Sequence, residues 1–121
     1  MFSLLTNLID FDKPVYALEN AKEINLKKDI FTIDTILIRD VKSKSIKLVN
    51  KENKGIEFSY PKFLTLAIWT PYNEAPFICL EPWIGYNDRH DSNKDFLTKD
   101  NLITLKSLES YKVDYTIKIV E

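Results

Sequence analysis

Glu81, Trp83, Asp88 and His90 are the residues whose types and spacing could carry chemistry in this chain. Glu81 follows the apolar run Phe77-Ile-Cys-Leu80 directly and precedes Pro82. A proline disfavours helical backbone for the residue before it, so Glu81 is extended and its carboxylate leaves the strand end at a fixed angle. Trp83 lies two residues on, hence on the same face if the extension continues. A carboxylate beside an indole suits a sugar: one binds a hydroxyl, the other gives an apolar platform to the C–H face of the ring. The same carboxylate could accept a proton. The plainer reading is a Glu that ends a strand and a Trp that fills a core. His90, the single histidine, stands between Arg89 and Asp91 in a polar loop. It reads first as a solvated surface residue, and second as a substitute acid, since loops after a site strand often line the pocket.

These residues need a scaffold, and its pattern is that of strands. In residues 111–120, Tyr111, Val113, Tyr115, Ile117 and Ile119 alternate with Lys112, Asp114, Thr116 and Lys118. That period of two predicts a strand with one wet face and one buried face. Residues 45–49 and 56–60 alternate in the same way, and the polar stretch Asn50-Lys-Glu-Asn-Lys-Gly55 joins them as a hairpin, with Gly55 expected where positive φ is needed. Residues 35–39 form another short β-branched run, followed by a turn at 42–44. Residues 64–70 and 77–80 are continuously apolar, as strands covered on both faces are. Residues 102–105 predict one more strand. A helix is expected at 15–24, after Pro14, and a short turn near 28–31. The lysines at 42, 44, 47, 51 and 54 read as the solvated side of an edge strand. The expected fold is an all-β antiparallel sandwich of roughly seven or eight short strands, a single domain over residues 1–121.

Composition narrows the function classes. Seventeen basic and 18 acidic residues give a net charge of -1, which argues against nucleic acid or an anionic membrane face as partner. Two glycines, Gly55 and Gly85, exclude Rossmann fingerprints and P-loops, whose backbone must approach phosphate closely. The single cysteine, Cys79, excludes an internal disulfide and reads as inert core. No Cys/His cluster could enclose zinc, and Asp88, Asp91, Asp95 and Asp100 lack EF-hand spacing, so no metal and no cofactor is expected. No run is long enough to span a bilayer as a helix, and residues 1–9 carry no basic residue, a poor secretory signal. A cytoplasmic location is expected.

The block Cys79-Leu-Glu-Pro-Trp-Ile-Gly-Tyr-Asn-Asp88 resembles the Cys-x-Glu-Pro-Trp-x-Gly-x-x-Asp signature of the aldose 1-epimerase (galactose mutarotase) superfamily, and of its LacX-like bacterial branch in particular. Tyr60-Pro-Lys-Phe-Leu-Thr-Leu-Ala-Ile-Trp-Thr70 and Ala75-Pro-Phe77 are similar to that branch's neighbouring segments. The resemblance implies a β-supersandwich and a mutarotase mechanism. A carboxylate takes the proton of the anomeric hydroxyl, a histidine protonates the ring oxygen, and the ring reopens and closes as the other anomer. By position Glu81 matches the general base, while Trp83, Asp88 and His90 would bind substrate. His90 does not match the family's acid, which lies in a half that precedes the region matched here. The chain thus resembles the C-terminal part alone. An unpaired half sandwich leaves strand edges and an apolar face open, so a homo-oligomer, or association with a missing N-terminal half, is expected. A non-catalytic carbohydrate-binding module and a β-sandwich interaction module are the alternatives.

Overall fold

Apolar and polar residues that alternate in sequence separate onto the two faces of short strands in the computed structural model, which describes residues 8–10, 12, 22–32, 34–72 and 75–121. The strands are β1 (Ile36–Ile38), β2 (Ser45–Val49), β3 (Gly55–Ser59), β4 (Thr65–Trp69), β5 (Cys79–Trp83) and β6 (Thr116–Val120). Two short 3₁₀ turns, Lys28–Phe31 and Phe96–Thr98, complete the regular elements among the described residues. One antiparallel sheet has the order β1-β4-β5 and the other β2-β3-β6. The all-β expectation holds.

Both sheets contribute to one core. Phe58 of β3 joins Leu66 and Ile68 of β4, together with Phe31, Val41, Tyr60 and Phe63 from the connections. Ile46, Ile36, Ile38 and Leu80 pack against this cluster from β2, β1 and β5. Tyr60 is fully buried, and its hydroxyl meets Ser43 Oγ at 3.1 Å, which satisfies a polar atom at the core's edge. The Val41 amide donates to the Leu64 carbonyl at 2.9 Å and the Tyr60 amide to the Lys44 carbonyl at 2.9 Å, so backbone bonds bind the links between sheets. The continuous apolar run of β4 is covered on both faces, as expected.

Several details differ from the pattern-based expectations. Six strands form among the described residues, not seven or eight. Residues 102–105 are not a strand; Asn101 just before them adopts φ 61°, which interrupts an extended chain. The strand expected at 77–80 runs instead from Cys79 to Trp83, continuing through Pro82 because β5 is an edge strand whose proline needs no ladder partner. The last strand begins only at Thr116, and its apolar side is exposed rather than buried. Gly55 does not take positive φ; Asn53 does, at 60°. Asn50 Oδ1 accepts the amides of Glu52 and Lys54 at 3.0 and 2.9 Å and shapes that turn. Gly55 is required for a different reason: a Cβ there would run into the Leu48 backbone carbonyl across the hairpin. The expected helix at 15–24 lies mostly outside the described residues, and 22–24 are not helical. The five hairpin lysines are exposed, as expected.

Candidate functional site

The register of β4 against β5 fixes what surrounds Glu81. Directly opposed residues on antiparallel strands share a face, and the pairs are Thr65↔Trp83, Ala67↔Glu81 and Trp69↔Cys79. Leu37 of β1 lies opposite Ala67. Leu66, Ile68 and Leu80 occupy the other face and enter the core. Glu81, Trp83 and Cys79 therefore stand on the side of the sheet turned away from the core. Cys79 is half-buried on this site face, which corrects its assignment to the core.

Glu81 and Trp83 meet there. The indole Nε1 of Trp83 donates to Glu81 Oε2 at 3.0 Å. Both side chains are half-buried, and a bond to the ionised carboxylate holds it in one orientation. The cross-strand neighbour of Glu81 is Ala67, which is itself fully buried. Trp69 lies on the same face and packs against Phe77 with ring centroids 6.1 Å apart. Thr65, fully buried, receives a hydrogen bond on its Oγ1 from Asn101 Nδ2 at 3.0 Å. This bond fastens the segment after the site loop to the sheet that carries Glu81.

Beyond Trp83 the chain turns at Gly85, buried at φ 78°, with the Leu102 side chain 3.1 Å from where a Cβ would stand. The following loop is fixed by Ile9, whose amide donates to the Asp88 carbonyl at 2.9 Å while the His90 amide donates to the Ile9 carbonyl at 3.0 Å. Residues 86–89, 91–93 and 98–100 line an open polar cleft of about 310 Å³. Asp88 pairs with Lys99 Nζ at 2.7 Å inside it. Arg89 makes a forked contact with Asp91, at 2.8 and 2.7 Å, and reaches Asp100 at 3.6 Å. Tyr86 donates to Asp100 at 3.1 Å. Burial pushes the Tyr86 phenol up, and the Asp100 carboxylate pushes it further. The hydrogen bonds from Arg89 hold Asp91 below the usual carboxylate range, and the same pair raises the Arg89 guanidinium.

Of the four residues expected to form a site, the structure brings Glu81 and Trp83 together, and only Asp88 lines the cleft. His90 is exposed, and its Nδ1 lies 3.8 Å from Asp10 Oδ1. Half-buried Asp10 and exposed Asp12 and His90 place one donor atom each within 4.8 Å of one another. The aspartates weighed above for calcium each have other work: Asp88 pairs with Lys99, Asp91 and Asp100 with Arg89, and Asp95 caps the turn at Leu97. Pattern reading missed Arg89 and Asn101. Their signals were a guanidinium two residues from a carboxylate, and an asparagine, the residue that best tolerates a left-handed backbone after glycine.

Comparison with known proteins points one way. The chain is 31% identical over 116 residues to Protein LacX, plasmid, and equally to Protein LacX, chromosomal, both of Lactococcus lactis subsp. lactis. The aligned region covers 95% of this chain and 39% of each relative. The chain is homologous to the LacX proteins and spans well under half of their length. No family model matches it, and no solved structure does. No described helix is long and apolar enough to cross a membrane.

Proposed function

We propose, from the homology to LacX and the geometry around Glu81, that this chain contributes the general base of an aldose 1-epimerase-like protein acting on galactose, glucose or a related sugar in the cytoplasm. The observation that carries the reading is the Glu81–Trp83 pair, a carboxylate held at 3.0 Å by an indole N–H on the face of the sheet turned away from the core. It lies within the Glu-Pro-Trp block that resembles the aldose 1-epimerase superfamily. On this reading Glu81 takes the proton from the anomeric hydroxyl, the C1–O5 bond opens to the aldehyde, and reclosure on the other face of the carbonyl returns the proton from Glu81. Trp83 positions the carboxylate and borders the sugar. Asp88, held by Lys99, offers a hydroxyl acceptor at the mouth of the following loop. A group that protonates O5 is also needed, and His90, turned to Asp10, is not near that role by any contact it makes here.

The position of the only histidine favours a second reading, sugar binding without turnover. Exchange NMR between the anomers of D-galactose and D-glucose separates the two. The first reading expects exchange faster than buffer, falling by about 10² to 10⁴ in Glu81→Gln. Line broadening of the sugar without exchange supports the second. Neither effect in the wild type, or exchange that survives Glu81→Gln, removes Glu81 as base.

A further inference from the structure

The face left open by the sheet β2-β3-β6 is continuous with the core and stops at β6. Ile46, Phe58 and Ile117 lie in register on it, as do Leu48, Ile56 and Ile119. Phe58 is buried, whereas Tyr111, Val113, Tyr115, Ile117 and Ile119 are between 38% and 73% exposed. Tyr115 already stacks edge-on against Phe58, with centroids 5.5 Å apart. The outer edge of β6 pairs with no strand among the described residues. Lys62, from the loop after β3, reaches the Lys112 carbonyl at 3.0 Å and Asp114 at 3.5 Å within the same chain.

We infer that β6 is the dimerisation strand of this protein, pairing antiparallel with β6 of a second copy about a twofold axis at Thr116. The sequence of this edge is complementary to itself in that register. Asp114 faces Lys118 of the second copy, and Lys118 faces its Asp114, so two ion pairs form on the polar side. Tyr115 meets Ile117 and Val113 meets Ile119 on the apolar side, the aromatic and β-branched pairs that favour sheet association. Centring on Lys118 sets two ammonium groups against each other. Centring on Ile117 leaves Lys118 opposite Thr116, and a slip of one residue puts apolar side chains on the polar face. The dimer joins the two three-stranded sheets into one of six strands and removes an edge that otherwise invites uncontrolled pairing. This inference is independent of any role for Glu81.

Sedimentation equilibrium on the whole chain tests it, with circular dichroism confirming that each variant is folded. The wild type is expected at twice 14.2 kDa. Asp114→Lys and Lys118→Asp each place two like-charged pairs at the interface and are expected to weaken the dimer by about tenfold or more, and the double variant to restore it to within about threefold. The intrachain neighbours Lys62 and Glu57 are common to monomer and dimer and cancel from the dissociation constant. Thr116→Cys is expected to cross-link between copies on mild oxidation, because directly opposed strand residues fall within disulfide reach, while Lys118→Cys is not. A monomer at every concentration, a double variant no tighter than the singles, or cross-linking at 118 rather than 116 overturns the inference. A monomer that instead captures the part of Lactococcus LacX outside the matched region assigns the edge to a different occupant and overturns it too.

Discussion

The two sheets have three strands each and opposite amphipathic character. The β1-β4-β5 sheet is apolar on its core side and keeps Thr65 and Ala67 fully buried on the other, so β4 is enclosed on both faces. The β2-β3-β6 sheet alternates, with Lys47, Glu57 and Lys118 aligned on its wet side. Its apolar side thins from buried Phe58 to exposed Ile119 within the width of one strand. The enclosed sheet holds a carboxylate in one place, as a reaction centre needs, and the alternating sheet offers a surface. Rigidity and availability are thus divided between two halves of one core.

The largest expected effect tests that division directly. Leu66→Ala, in the enclosed sheet, is expected to cost about 2–5 kcal/mol because it opens a cavity in packed core. Ile119→Ala, at the open edge, is expected to stay within about 0.5 kcal/mol in dilute solution. Urea unfolding of both measures the contrast, and equal losses would mean that β6 is as well covered as β4.

A smaller effect concerns the hairpin of the alternating sheet. Gly55→Ala pushes a Cβ into the Leu48 carbonyl, and overpacking of that kind costs about 1–3 kcal/mol. Asn53→Gly is expected to remain within about 0.5 kcal/mol, since glycine adopts the φ of 60° found there without strain. A reversal of that order would return the special conformation to Gly55.

The smallest effect lies beside the enclosed sheet, in the loop that follows Glu81. Arg89 lowers the Asp91 carboxyl in the folded state. Its pairing therefore contributes above the ordinary carboxylate pKa and is lost as pH falls through the lower, folded value. Carboxyl NMR titration is expected to find Asp91 below the ordinary value, and to find it restored in Arg89→Ala. An unshifted Asp91 in the wild type would mean that solvent dissolves this pair.

Strand existence was legible in the residues because side-chain polarity alternates locally. Residues 45–49 and 56–60 needed nothing more than their own pattern, and they pair within one residue of where it puts them. The errors arise where distant chain decides. Residues 102–105 are as apolar as a strand, yet no described strand offers them a partner. Residues 111–115 alternate as well as β6 does, but β3 ends at Ser59, opposite Thr116, so the ladder ends there. For the site, the Pro82 argument already put Glu81 and Trp83 on one face. Neither the N–H bond between them nor the fact that this face lies opposite the core was in the pattern, because a strand's period of two distinguishes its faces without saying which one is covered.

By itself, then, the sequence determined the all-β class, the hairpin, and the shared face of Glu81 and Trp83, all of which follow from backbone preference and side-chain alternation over a few residues. Tertiary structure alone decided that Glu81 faces away from the core, that His90 turns to Asp10, that Asn101 anchors to Thr65, and that β6 stands open at an edge. Each depends on which segments lie beside one another, and that is set by the packing of the whole chain.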